Sequence, residues 1–326
     1  MFPHDPHDPL AAVTHAAPHD YYRRLAAGPP LRFDTGLDCW LASGDGVKAV
    51  LAHPDCGVRP PDQPVPAHLL GTACGAIFAE LVRMNDGARH AAPKRALMQL
   101  LASVDLARLH EQSARLAHDR LPGSAGELNE LMVDLPLFAV AQLLGVAPAD
   151  WPQIAGWTRD FVAALPVQAD SAAIARAQLA AAGLQQAFAT LRPGDDASLR
   201  ANLIGLLVQT CEATAGLLGN EVLALRGQAG PGPVLAIHNT RRYAARDLQM
   251  AGVTIRQGQM ILVLLAEEGL GFGHGVHRCP GQAVAQTIVA AILSSWSAAL
   301  PQLKLHWHYR PSPNARIPVF ADGVPA

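Results

Sequence analysis

The sequence predicts one mainly α-helical domain with a small β portion. Half of its 326 residues are hydrophobic and 16% are charged, which supplies a sizeable buried core and argues against disorder. Ala and Leu dominate, while β-branched and aromatic side chains are sparse; Ala and Leu lose little entropy on entering a helix. Helical spacing through the middle of the chain also gives way, after a glycine-proline stretch, to short β-like runs.

The opening MFPHDPHDPL is polar and proline-rich, so residues 1–19 are expected to form a flexible tail and residues 20–326 the single domain. DYYRRLAA reads as a short helix ending before Gly28-Pro29-Pro30. LRFDTGLDCWLASG alternates around Gly36 and reads as a hairpin. Asp45 to His53 reads as a helix stopped by Pro54. Residues 66–118 carry helical spacing broken at Asn85-Asp86-Gly87, and residues 126–145 form an apolar helix ended by Gly145 and Pro148. The next helix starts at Asp150, its expected cap, and runs to about Leu165. Ala172 to Leu191 is Ala-rich and helical, and RPGDDAS leads into a long helix over residues 199–225. GQAGPGP is a linker. HNTRRYAARDLQMAGVTIRQGQMILVLLA holds short strands punctuated by Gly252 and Gly258. GLGFGHGVHRCPG is a glycine-rich loop, Gln282 to Leu300 a helix, and LKLHWHY and RIPVF are strands.

A formal net charge of −2 points to neither nucleic acid nor an anionic membrane as partner. The most apolar stretch, residues 199–225, is interrupted by Arg200, Asn202, Gln209, Glu212, Asn220 and Glu221, so it reads as a buried helix. No basic region followed by an apolar one marks a secretory signal. Cys39, Cys56, Cys74, Cys211 and Cys279 form no C-x-x-C pair, and an odd, scattered set fits a reducing compartment. These features predict a cytoplasmic protein.

The sharpest chemical signal is the run from Phe272 to Gly281, FGHGVHRCPG. Glycines around one cysteine imply a close backbone approach to something flat or large. Pro280 is expected to open a helix, and a helix N-terminus favours a thiolate. A thiolate facing a glycine-lined gap can ligate haem iron. Three other readings compete. His274, His277 and Cys279 could hold zinc, His277 could serve Cys279 as a catalytic base, or the loop could be structural with an incidental thiol.

This run resembles the cysteine-ligand loop of cytochromes P-450, F-G-x-G-x-H-x-C-x-G, with Phe272, Gly273, Gly275, His277, Cys279 and Gly281 in register. YYRRLAAGPPLRF with CWLASGDGVKAVLAHPD resembles the start of soluble bacterial members, and VDLPLFAVAQLLGVAPADW their middle helices. The resemblance implies a single haem-binding domain of that fold, with haem b between the helix near Glu212 and the loop of Cys279, its axial ligand. It also implies mono-oxygenation of a small organic substrate, with electrons from an NAD(P)H-dependent reductase through a ferredoxin-type partner. Cations for the two propionates are implied at His90 and Lys94, at Arg242 and at His277. Lys94 stands where the family has arginine, so a bidentate contact would be lost there, with Arg95 a substitute.

The long helix departs from the family's Ala-Gly-x-Glu/Asp-Thr. Glu212 takes the acid position and is the expected proton relay, while Gln209 and Thr210 replace the small pair. Ala213 replaces the threonine, and Thr214 follows one residue later. This leaves two other functions open, a catalytically altered haem-binding protein and a peroxide-driven peroxygenase. The family's Glu-x-x-Arg helix and its loop before the cysteine region are also absent; Glu221 and Arg226 lie on different helix faces. Because an extended chain covers at most ~3.3–3.6 Å per residue, GQAGPGP spans little. Residues are therefore expected to be omitted after Asn220 and after Ala266, the alternative being a true deletion of both segments together.

Overall fold

In a computed structural model of the chain, the described residues are 5–230, 232–266 and 269–323. Their contacts divide the chain into two compact units.

The first unit comprises Met1–Asp62, Gly219–Cys279 and Trp307–Val319. Its helices are α1 (Ala11–Thr14), α2 (His19–Ala26) and α3 (Asp45–Ala52). Its strands are β1 (Leu31–Asp34), β2 (Cys39–Ala42), β3 (Cys56–Gly57), β4 (Asn239–Ala244), β5 (Leu248–Met250), β6 (Val253–Ile255) and β7 (Met260–Leu264). β1 and β2 pair antiparallel, as the alternation around Gly36 predicts. One sheet has the order β1-β2-β7-β4-β3, with β2 and β7 parallel. Gly252 and Gly258 turn the chain at φ +78° and +81°, where a Cβ would be strained. The amphipathic α3 buries Val47, Val50 and Leu51 in one cluster with Ala42, Ile261 and Val263. Each large apolar side chain so buried contributes roughly 1.5–3 kcal/mol.

The flexible tail expected over residues 1–19 is instead packed where it is described. Asp8 accepts from the amides of Leu10 (2.8 Å) and Ala11 (2.7 Å) and so starts α1. Ala12 and Val13 expose no surface. A helix of four residues is barely one turn, too short to show a period, which is why the sequence hides it.

The second unit comprises Gln63–Leu218, Pro280–His306 and Phe320–Ala326. It holds α4 (Ala73–Glu80), α5 (Gly87–Ala102), α6 (Leu106–His118), α7 (Ala125–Leu143), α8 (Trp151–Ala163) and α9 (Ser171–Leu191). It also holds α11 (Gln282–Trp296) and most of α10 (Ala197–Leu225), whose residues from Gly219 onward belong to the first unit. The last strands are β8 (Leu305–Tyr309) and β9 (Pro318–Asp322). Asp105, Ser124 and Asp170 cap α6, α7 and α9 by accepting from the amides of Arg108, Glu127 and Ala173. Asp150 does not cap α8: a 3-10 turn over Pro148–Asp150 runs straight into the helix, so its backbone is already helical. α11 packs on α6, with Trp296 fully buried and its indole N–H shared between the carbonyls of Ala117 and Arg120.

α10 is long and apolar enough to cross a membrane by length and composition, yet 72% of its most apolar window is buried inside the protein, as a core helix requires. Asn202 pins it. The side-chain oxygen accepts from the Val82 amide at 2.8 Å, and the side-chain nitrogen donates to the Glu80 and Ser198 carbonyls. A Cβ on Gly205 would fall 2.7 Å from the Leu81 side chain, so glycine sets this close approach. α10 passes through Asn220 unbroken to Leu225. The segment after Ala266 meets residues 267 and 268, and the linker GQAGPGP includes residue 231; these three lie outside the described residues.

Candidate functional site

The cysteine loop hangs from the end of β7. The Leu270 amide donates to the Leu265 carbonyl (3.0 Å), Gly273 to Leu270 (2.7 Å), and Cys279 to Phe272 (2.8 Å), which closes the loop. Gly273 and Gly275 have φ of +75° and +66°, and a Cβ on Gly275 would lie 3.1 Å from the Leu51 carbonyl of α3. These two glycines are therefore required by the turn and by the floor beneath it. Gly281, at φ −93°, is under no such demand. Pro280 does not open the helix: α11 starts at Gln282, with Gly281 before it. Gly275→Ala is expected to lower stability by about 1–2 kcal/mol, the cost of left-handed backbone for a residue with a Cβ. A thermal melt of the variant checks this.

Of the five cysteines, Cys279 alone is not buried. Burial pushes the thiols of Cys39, Cys56 and Cys74 up to about 11, so those three stay protonated at neutral pH. Phe272, Gly273, His277 and Gly281 are half-buried. Arg242 lies on β4 opposite Ile261 of β7, the strand that leads to the loop. It is a buried guanidinium, 6% exposed, whose Nη1 donates to the Arg241 carbonyl at 2.9 Å. Phe272, Gly273, His277, Cys279 and Arg242 thus all belong to the first unit.

His90, Lys94, Glu212 and Thr214 belong to the second unit, as does Gly281, in the segment that begins at Pro280. His90, Lys94 and Leu97 are the buried residues of α5, a stripe at helical spacing that puts two cationic or ionisable groups on the inner face. Arg95, the substitute weighed for Lys94, is exposed. Leu101 continues the stripe into a cavity of about 40 Å³, lined also by Val140, Leu206, Thr210, Thr214, Gly281 and Ala285. Thr210 donates to the Leu206 carbonyl at 2.8 Å, the usual back-bond of a helical threonine. The Thr214 hydroxyl, on a residue 5% exposed, has no hydrogen-bond partner among the described residues. Glu212 is half-buried and does not line this cavity. The structure therefore groups Thr210 with Thr214 and leaves Glu212 apart. The sequence holds that signal, since residues four apart share a helix face, but reading Thr210 only as a bulky replacement misses it.

Among the described residues no three His, Cys, Asp or Glu side chains gather as a metal site would need, which counts against zinc at His274, His277 and Cys279. No family model matches the chain. A biotin biosynthesis cytochrome P-450 of Bacillus subtilis is 22% identical over 251 residues, covering 56% of this chain and 63% of that protein, less than two thirds of its length. A mycinamicin IV hydroxylase/epoxidase of Micromonospora griseorubida is 25% identical over 286 residues, covering 68% of this chain and 72% of that one. Among solved structures, CalO2 superposes with a TM-score of 0.75 at 20% identity, covering 97% of this chain and 98% of that one. The enzyme BioI, bound to an acyl carrier protein ligated to hexadec-9Z-enoic acid, superposes with a TM-score of 0.73 at 20% identity, covering 93% and 97%. The chain is therefore similar in sequence to cytochromes P-450 and has their fold. The mainly α fold with a small β portion is that of these cytochromes P-450, a family that uses haem.

Do this chain's residues suit that group? The one thiol that is not buried sits at the end of a closed loop three residues before α11. The two units carry buried cationic or ionisable side chains at Arg242, His90 and Lys94, the chemistry that carboxylates withdrawn from water require. The donor set fits.

Proposed function

We propose that the chain is a haem-thiolate monooxygenase that oxidises a small organic substrate with O2, and that its two units work as one haem-binding domain over residues 20–326. The observation that carries the proposal is Cys279, the only thiol that is not buried, on a loop that its own glycines and backbone bonds hold shut. Haem b supplies the redox chemistry when bound, and a thiolate ligand promotes O–O cleavage. Cys279 would donate that thiolate. His90, Lys94, Arg242 and His277 would hold the propionates. Phe272, Gly273 and Gly281 would line the ring, and Glu212 would carry protons from solvent. Electrons would come from NAD(P)H through a reductase and a ferredoxin-type partner in the cytoplasm.

Arg242→Ala is expected to weaken haem retention about tenfold or more, since charge-assisted hydrogen bonds of this kind contribute roughly 1.5–3 kcal/mol. Haem transfer to apomyoglobin measures it, and equal transfer rates from both proteins would remove Arg242 from the set. Glu212→Gln is expected to slow product formation while substrate binding stays intact. Unchanged turnover would make Glu212 structural.

A second reading is peroxide-driven oxidation. Ala213 stands beside the acid, and Thr214 shares its cavity with Thr210 and not with Glu212, which favours a chain that bypasses O2 activation. Turnover with peroxide but none with NAD(P)H and surrogate partners would select it. Haem binding without either turnover would select a catalytically altered haem protein.

A further inference from the structure

Arg316 is 6% exposed and forms no ion pair with a carboxylate among the described residues. A buried charge in that position is costly unless dipoles replace the counter-ion. Here they do. Nη1 donates to the carbonyls of Val13 (2.9 Å) and His15 (2.7 Å), and Nη2 donates to Ala16 (3.3 Å). The guanidinium lies over the Tyr309 ring, 3.7 Å from its centroid. The Tyr309 hydroxyl donates to Asn220 Oδ1 (3.0 Å), and Asn220 Nδ2 donates back to the Arg316 carbonyl (2.7 Å). One side chain thus ties the start of the chain, the end of α10 and the C-terminal segment together.

From this cluster an unbroken set of bonds reaches the cysteine loop. The Arg316 amide donates to the Ala236 carbonyl (2.7 Å) and the His238 amide to the Asn314 carbonyl (2.9 Å). Asn239 Nδ2 donates to the Pro313 carbonyl (2.7 Å). The Leu265 amide donates to the His238 carbonyl (2.8 Å), and the loop then hangs from the Leu265 carbonyl. A Cβ on Gly271 would fall 2.9 Å from the Leu235 side chain, so the loop also lies directly against this segment.

We propose that Arg316, with Tyr309 and Asn220, is a positioning cluster that fixes the Cys279 loop through residues 236–239. The inference deepens the haem reading, because the loop it holds carries the proposed ligand, but hydrogen exchange tests it without haem chemistry. In the full chain as purified, Arg316→Met is expected to speed amide exchange at Gly273 and Cys279 about tenfold or more, while α7 amides keep their rates. Arg316→Lys keeps the charge but cannot fork to three carbonyls, so it should rescue only part of the protection. Tyr309→Phe removes one hydroxyl and keeps the ring, and should speed the same amides about two- to threefold. Opening of residues 11–16 with an unchanged loop would overturn the proposal and leave Arg316 as a strap for α1. Equal acceleration in both units would also overturn it, as general destabilisation. Should Arg316→Met fail to fold, Tyr309→Phe decides, and unchanged loop exchange there is the refuting result. A chain that binds no haem yet shows the loop response would sink the haem reading alone.

Discussion

The ferrous–CO complex of the haem-loaded chain is expected to carry the strongly red-shifted Soret band of thiolate ligation, and Cys279→Ala is expected to lose it entirely. The argument rests on elimination among thiols. Cys39, Cys56, Cys74 and Cys211 are buried, and three of them are held protonated by that burial. Cys279 alone is not buried, and it sits at the closing bond of its loop, its amide tied to the Phe272 carbonyl at 2.8 Å. A thiolate is the form that binds iron. A histidine-like spectrum in freshly reduced wild-type protein would remove Cys279 as ligand, as would spectra unchanged by the substitution.

Much of this was legible in the sequence because local chemistry decides it. The hairpin at Leu31–Ala42 follows from alternation around Gly36, and the end of α7 follows from Gly145 and Pro148. What stayed hidden depends on partners far along the chain. Arg316 reads as one more surface charge in NARIPVF, and only the carbonyls of Val13, His15 and Ala16 make it a buried tie. Thr214 reads as a displaced catalytic threonine, and only the cavity shows that it faces Thr210. The break between α5 and α6 at Ser103 to Asp105 also escaped notice, since no glycine or proline marks it. Glycines in the cysteine loop, taken to signal a bound flat group, are explained first by left-handed turns at Gly273 and Gly275 and by the approach to Leu51.

Mild acid is expected to destabilise the first unit through His238. This ring is 1% exposed; its Nδ1 meets the Tyr22 hydroxyl at 3.2 Å, and the Leu235 backbone also bonds to it. Burial, then the Arg316 charge, then His19, push its pKa down from 6.5 to about 3, against a smaller opposing effect of the Leu235 bond. The sign follows from proton counts. Between those two values the unfolded chain binds the proton and the folded chain does not, so stability is fully present above pH 6.5 and falls as pH drops toward 3. The slope approaches ~1.4 kcal/mol per pH unit. His19 is shifted the same way, chiefly by burial and then by Arg316, so it adds to the trend. Urea midpoints followed by circular dichroism at about pH 7 and about pH 4.5 should therefore separate for wild type by roughly 2 kcal/mol more than for His238→Gln, which cannot take up the proton. Parallel shifts in the two proteins would show that His238 finds a partner for its charge in the folded state. The opposite trend, with wild type the less acid-sensitive, would mean that the ring is already protonated at neutral pH beside Arg316, which its burial opposes.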